Sequence, residues 1–369
     1  MKTIKVGVVG LKHGMASVKE VLDNPNFELV ALCSRTRESY DYLCGAEISE
    51  TIDSVTFTEP RELLIRQCRA KRDFREIDFF TDYDAFLDHP ALEAVIVAVP
   101  IPLNAEYPIR ALKKNKHVFA SKPFGLTLKH GWELKKVAEA AKSKFMVNYE
   151  FRYSPVMQAI RRQIESGAIG DLRLMWWNMF RMPFRPAYAK WATSGGALVA
   201  EVCHWFDLFH LFNSETPFSK ICTFGGLDVL GAQQEIDDNA VCIIEYANGV
   251  RASINYTYFT DQPKHNQFGL VGDRGKLLAD TDEAGRYLLY SGPEQNRTEF
   301  VANPSRAHMG HLGFDLSYRR FARIILEDLD VNKQEAERGF ESLLISIAAQ
   351  QSSDRGCIVT REEALAGLK

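Results

Sequence analysis

The stretch Ile4-Lys5-Val6-Gly7-Val8-Val9-Gly10-Leu11-Lys12-His13-Gly14-Met15 decides the fold. Residues 4–10 (IKVGVVG) are an apolar run with no in/out alternation, the pattern of a strand buried on both faces of a parallel sheet. Residues 15–22 read as a helix. A glycine-bearing turn between such a strand and such a helix suits a dinucleotide pyrophosphate. Glycines let the phosphates approach the backbone, and the helix start offers N–H groups and partial positive charge. Gly10 stands in the first glycine position, Lys12 in the second, and the third glycine falls one residue early, at Gly14. Alone the motif is weak; its place between a buried strand and a helix near the chain start strengthens it. Gly10, Lys12, His13 and Gly14 are therefore candidate phosphate contacts, with the Lys12 ammonium either crowding the phosphates or pairing with them. The bland alternative is a tight turn without a ligand.

Working outward, further apolar runs at 27–33, 94–99, 118–120 and 145–148 alternate with helical patterns at 36–47, 104–114 and 126–141. This βαβα order predicts an N-terminal α/β domain over 1–150, a doubly wound parallel sheet of Rossmann type. Residues 46–77 break the rhythm and read as an insert, with one helix-like piece at 60–69. Beyond 150 the style changes. Strand-like runs at 172–180, 219–224, 240–246, 250–258, 267–271, 276–278 and 286–290 accompany helical stretches at 154–166, 195–212, 314–326 and 339–355. Residues 250–258 alternate, and Asn248-Gly249 is a strong hairpin signal. The second domain, 151–369, is expected to be α+β with a large, mainly antiparallel open sheet.

A chain of 369 residues accommodates two such cores. The net charge of −3 gives no reason to expect a nucleic acid or an anionic membrane surface as partner. Seven cysteines without a Cys-x-x-Cys fit reduced thiols, and disulfide or zinc readings are disfavoured. The N-terminal apolar run is too short for a signal peptide, and no stretch has the length of a membrane span. A cytoplasmic protein is the expectation.

The end of the second strand bears on the cofactor. An acidic residue there would bind the ribose hydroxyl of NAD, but Ser34-Arg35-Thr36-Arg37 stands in its place. Two guanidiniums and two hydroxyls can bind a 2′-phosphate and no carboxylate repels one, which favours NADP, with NAD as the alternative. The plain reading is that both arginines are solvated helix charges.

Several further segments carry a resemblance: Thr81-Asp82-Tyr83, residues 117–123 (HVFASKP), Gly195-Gly196-Ala197-Leu198, His204-x-x-Asp207, Asp238-Asn239-Ala240 and Gly272-x-x-Gly275. In this order and spacing the chain resembles the glucose–fructose oxidoreductase/inositol dehydrogenase (Gfo/Idh/MocA) family over nearly its whole length. The resemblance implies hydride transfer between a nicotinamide and a hydroxyl-bearing carbon of a sugar, sugar derivative or cyclitol. It also implies a homo-oligomer, dimer or tetramer, built on the open sheet. Lys122 matches the family's catalytic lysine, Pro123 its proline and His204 its histidine. Ser121 replaces the motif's glutamate. Ala200 stands where an aspartate is usual, with Glu201 beside it as a substitute three residues before His204. Pro100, Asn104, Ser121 and Lys122 are implied cofactor contacts.

Removing hydride from a carbinol requires a base for the hydroxyl proton. Histidine titrates in the right range, and a lysine can be tuned into it by burial. Lys122, His204 and Glu201 are thus the candidate catalytic set. Asn148, Arg152, Tyr153 and His204 are candidate substrate contacts, with junction packing as the alternative for the first three. Trp176 and Trp177 must point to opposite faces of their strand, one into the core and the other toward an oligomer contact or a sugar. His308-x-x-His311 has a spacing that could hold a metal, but apart from Asp315 no carboxylate or cysteine completes a set nearby, so none is expected, and a mobile substrate loop is the alternative reading. Two rival functions stay open. One is a redox-neutral, NAD-using glycosidase or lyase; the other is a non-catalytic dinucleotide-binding regulator.

Overall fold

The computed structural model describes residues 3–12, 14–48, 61–186, 188–260, 265–280, 286–292, 296–301 and 313–368. By packing, the chain divides into two units. Met1–Gly125, His130–Glu150 and Arg306–Glu337 make the first; Leu126–Lys129, Phe151–Ser305 and Arg338–Lys369 make the second.

In the first unit, β1 (Ile4–Val9), β2 (Phe27–Cys33), β3 (Asp78–Phe80), β4 (Ala94–Val97), β5 (His117–Ser121) and β6 (Phe145–Asn148) form one sheet. The order is β3-β2-β1-β4-β5-β6 and every neighbouring pair is parallel. That is the Rossmann order, reversing direction of growth between β1 and β4, where ligands meet the carboxyl ends of the strands. Val6, Val8, Val95, Ile96 and Val97 are fully buried, as continuous apolar runs require. The three-residue β3 was not anticipated. Asp-Phe-Phe is too short to show a period, and it sits just after the irregular 46–77 stretch. Of that stretch, 49–60 lie outside the described residues. The helix Arg61–Arg69 buries Leu64, Ile65 and Cys68 and packs on the helix Met15–Asp23, so this part belongs to the Rossmann layers.

The helix Phe314–Leu326, read from sequence as part of the second domain, belongs to the first unit. Phe321 lies 6.4 Å from Phe27 and 5.2 Å from Phe119, and Tyr318 lies 4.7 Å from Phe119, ring to ring. Asn332 adds polar ties. Its Oδ1 accepts from the Phe145 N–H at 2.9 Å, and its Nδ2 donates to the carbonyls of Ala141 and Ser143 at 3.0 and 2.8 Å.

The second unit holds nine strands: β7 (Leu172–Phe180), β8 (Phe218–Gly226), β9 (Asn239–Tyr246), β10 (Arg251–Thr257), β11 (His265–Gly272), β12 (Gly275–Asp280), β13 (Arg286–Ser291), β14 (Asn296–Val301) and β15 (Val359–Thr360). Their order is β14-β13-β12-β11-β7-β10-β9-β8-β15, antiparallel except where β7 meets β10. The Asn248-Gly249 hairpin is present: Gly249 has φ +81° and the Tyr246 N–H donates to the Val250 carbonyl at 2.8 Å. β14 and β15 were not foreseen; one is almost wholly exposed and the other is two residues long.

One face of this sheet buries Met175, Trp177, Met179, Ala252, Ile254 and Tyr256. Trp177 stacks between Phe268 (4.2 Å) and Trp205 (4.3 Å), the latter from the entirely buried helix Cys203–Phe212. The other face presents Leu174, Phe224, Val241 and Ile243, all exposed, and the half-buried Trp176. The adjacent tryptophans do point opposite ways. Among the described residues, no helix is long and apolar enough to cross a membrane.

Candidate functional site

The turn after β1 is closed so tightly that only glycine fits. Gly10 has φ +91°, and a Cβ there would lie 2.2 Å from the Ala98 carbonyl oxygen. A Cβ on Gly14 would lie 1.9 Å from the Gly10 carbonyl oxygen. The Gly10 N–H donates to the Cys33 carbonyl at 2.9 Å, so the turn is pinned to the ends of both β2 and β4. Gly14 opens the helix Met15–Asp23, which has no side-chain cap and no acidic residue in its first turn. A helix start in that condition favours an anion. Lys12 is exposed and does not fill the turn; His13 lies outside the described residues.

At the end of β2 the two arginines differ. The Arg37 guanidinium sits 5.1 and 5.2 Å from the rings of Tyr40 and Phe79 and 3.5 Å from Asp41. Arg35 is exposed and forms no ion pair among the described residues; Ser34 is half-buried and Thr36 exposed beside it.

Lys122 follows β5, half-buried beside Ser121. Asn104, expected against the cofactor, has another engagement. It is 2% exposed, and its Nδ2 lies 3.4, 3.0 and 3.1 Å from the carbonyl oxygens of Ser121, Lys122 and Pro123. One amide thus clasps the backbone that carries Lys122, across a Lys122-Pro123 peptide that is cis. Asn148 is opposite Ser121 in the parallel register, buried, with an Oδ1 that has no hydrogen-bond partner among the described residues. Pro100 is exposed. The first unit therefore gathers Gly10, Gly14, Ser121, Lys122 and Asn148 at the carboxyl ends of its strands.

In the second unit the expected single helix over 195–212 is broken in character. Leu198–Val202 is π-helical and runs into the α-helix Cys203–Phe212. Wide turns of this kind cluster at functional sites. Ala200 is buried and Glu201 half-buried within the π turn. His204 opens the α-helix, 2% exposed, with its ring 4.8 Å from Phe151 in an edge-on contact. Tyr153 is half-buried. Arg152 lies inside, its Nε 2.6 Å from Asp207 Oδ2 and its Nη2 donating to the Asp207 carbonyl at 3.3 Å. Burial by itself would lower the Arg152 pKa, but Asp207 outweighs it and holds the guanidinium above its ordinary value. Burial, followed by the charge of Arg152, pushes the neighbouring His210 imidazole down to about 4.

Two residues of this unit escaped the sequence reading. Arg181 and Tyr258 follow β7 and β10 at the next inward positions, and the alternation of both strands, carried one step past their ends, is the signal that could have found them.

With this geometry in place, comparison with known proteins decides the family. The oxidoreductase family with an NAD-binding Rossmann fold matches residues 4–149, and the GFO/IDH/MocA C-terminal domain matches residues 157–278. The chain belongs to the Gfo/Idh/MocA oxidoreductase family.

Gfo/Idh/MocA relatives include an inositol 2-dehydrogenase of Rhizobium meliloti, 26% identical over 300 residues, which are 80% of this chain and 81% of the relative. A levoglucosan dehydrogenase of Pseudarthrobacter phenanthrenivorans is 27% identical over 58% of this chain and 65% of its own length. An uncharacterized oxidoreductase of Synechocystis is 26% identical, over 57% of this chain and only 60% of the relative. Solved structures share the fold. A myo-inositol dehydrogenase of Corynebacterium glutamicum superposes with TM-score 0.74 at 16% identity, covering 97% of this chain and 98% of that one. An oxidoreductase of Agrobacterium radiobacter, in complex with NAD+, L-tartaric acid and magnesium, gives 0.78 at 15% identity, covering 98% and 99%.

Proposed function

We propose that this Gfo/Idh/MocA protein is a dehydrogenase or reductase that uses NADP in preference to NAD and acts on a sugar, sugar derivative or cyclitol. The observation that carries the reading is Lys122 at the carboxyl end of β5, its backbone clasped by Asn104, in a unit whose first helix starts uncapped after the glycine turn and favours an anion there. The turn fits the cofactor because the helix start beside it lacks a side-chain cap of its own and has no acidic residue in its first turn. Gly10, Gly14 and the first turn of Met15–Asp23 would hold the pyrophosphate. Ser34, Arg35 and Thr36 would hold the 2′-phosphate. When bound, the nicotinamide supplies the hydride acceptor or donor.

Lys122 and His204 handle the proton of the substrate hydroxyl, and Asn148 Oδ1 accepts from a second hydroxyl. Glu201 supports the electrostatics of the His204 turn. Arg152 is left out of the substrate set, since its guanidinium is engaged by Asp207. The bare apolar face of the nine-stranded sheet is assigned to a second copy of the chain, giving a dimer or tetramer. The relatives named for inositol and levoglucosan support a polyol substrate.

The test is NADPH formation from NADP+ across a polyol panel. Turnover is expected, and Lys122→Ala should lower kcat by on the order of 10²–10⁴-fold, the usual worth of a general acid–base group. A tightly held nucleotide with no net reduction would favour redox-neutral chemistry instead, and no hydride exchange at all would favour a regulator.

A further inference from the structure

The sheet of the second unit ends in an arginine that neither the fold nor the proton chemistry uses. Along β7 the inward residues Met175, Trp177 and Met179 are fully buried, and Arg181 is next in that series. Along β10 the inward residues are Ala252, Ile254 and Tyr256, and Tyr258 is next. The parallel register pairs Tyr256 with Met179 and Thr257 with Phe180. It is carried one step further by the Arg181 N–H, which donates to the Thr257 carbonyl at 3.0 Å. Arg181 and Tyr258 therefore stand as neighbours on the helix-covered face. The Thr260 N–H and Oγ1 both donate to the Arg181 carbonyl, at 3.0 and 2.9 Å, and fix that backbone.

The surroundings are aromatic. The Arg181 guanidinium lies 5.8 Å from the ring of Trp205, the residue after His204, and the Tyr258 ring stacks on Phe184 at 3.9 Å. Arg181 Nε and the Tyr258 hydroxyl are both buried without a hydrogen-bond partner among the described residues, and Arg181 forms no ion pair among them. A half-buried guanidinium whose Nε has no hydrogen-bond partner among the described residues is costly, because removal from water is not offset by a partner. A planar anion placed between the fork of Arg181 and the phenol of Tyr258 would remove that cost and satisfy both groups.

We propose that Arg181 and Tyr258 form a carboxylate-binding subsite, so that the substrate is a polyol bearing a carboxylate, such as an aldonic acid, a uronic acid or a carboxylated cyclitol. This rests on the reading of the chain as a polyol oxidoreductase. Two details favour a carboxylate over a phosphate. The subsite supplies one guanidinium and one neutral hydroxyl, a single positive charge matched to a monoanion, and the Glu201 carboxylate, whose charge also bears on Tyr258, disfavours a dianion further. Burial raises the Tyr258 pKa well above its ordinary value, so its hydroxyl remains a donor at neutral pH.

The experiment pairs D-gluconate and D-glucuronate with their neutral counterparts D-glucitol and D-glucose, with NADP+ or NADPH, and adds thermal shifts with each sodium salt against sodium chloride. The wild type should have the higher kcat/KM on the acids. The acid-to-neutral ratio of kcat/KM should fall about 10- to 100-fold in Arg181→Gln, as expected for a lost charge-assisted pair. Tyr258→Phe, which keeps the ring and removes only the hydroxyl, should lower the ratio by a smaller factor. A wild type that prefers the neutral compounds, or an unchanged ratio in both variants, overturns the proposal. If no polyol is turned over, an Arg181-dependent thermal shift with gluconate sustains the subsite while the dehydrogenase reading falls. A shift no larger than that of chloride overturns the subsite.

Discussion

Arg35 and Arg37 are two residues apart and chemically alike, yet they are not interchangeable. Arg37 lies against two aromatic rings and an aspartate, and moving it would forfeit those contacts. Arg35 has no such ties among the described residues, which leaves it available for the 2′-phosphate contact proposed above. Arg35→Asp should weaken NADP by about tenfold or more, the scale of one charge-assisted contact replaced by repulsion, and should weaken NAD far less. Titration calorimetry with each coenzyme reads the difference, and equal losses for both would remove the 2′-phosphate assignment. Arg152 shows the opposite lesson. Its type and place suggested substrate contact, but its guanidinium is engaged by Asp207 in the interior. Sequence carries the residue's chemistry and not its partner, because the partner arrives from fifty-five positions away.

At the scale of elements, the end of β5 depends on a side chain from another connection. Asn104 follows the short 3-10 turn Ile101–Leu103 after β4 and gives one amide to three successive carbonyls around Lys122. Asn104→Ala should leave those carbonyls unsatisfied and cost about 1–3 kcal/mol of stability. It should also lower kcat more than it raises KM, since the lysine loses its mooring. A melting curve and steady-state kinetics on the variant check both parts; an intact kcat would make Asn104 a packing residue only. The long strands of both units, the hairpin at Asn248-Gly249 and the glycine turn were legible because apolar period and turn chemistry are local. β3, β14 and β15 were not, being too short or too exposed to carry a period. The π turn at Leu198–Val202 was hidden too, since its residues are ordinary helix formers and the extra width comes from packing. Arg181 was passed over because it stands just past the 172–180 run, and Tyr258, inside the 250–258 run, because an aromatic at an inward position reads as core.

For the whole molecule, one buried group in each unit responds to acid, and the two do so in opposite senses. In the second unit, burial and Arg152 lower His210 from 6.5 to about 4; Glu215 and Arg338 also bear on it. Between those values the unfolded chain binds more protons, so stability is full above 6.5 and falls as pH drops through the window. The loss is about 3 kcal/mol once both values are passed. In the first unit, burial raises Glu20 from 4.5 to about 7, so its contribution is full below 4.5 and is lost as pH rises through 7. Four of the five tryptophans, Trp176, Trp177, Trp191 and Trp205, lie in the second unit. The melting temperature read by tryptophan fluorescence should therefore fall between pH 7 and pH 5, and His210→Gln should flatten that slope. A slope that survives the substitution would assign it to other groups.

The helix Phe314–Leu326 has a consequence for how the protein comes into being. A chain leaves the ribosome from its amino end, so all six strands of the first sheet emerge well before the helix whose Phe321 covers Phe27 and Phe119. Until the segment ending at Glu337 has been synthesised, the nascent chain carries a wet aromatic flank that its finished form hides. Vectorial synthesis thus imposes a waiting period on the nucleotide-binding half, during which chaperones and misfolding compete for the same surface.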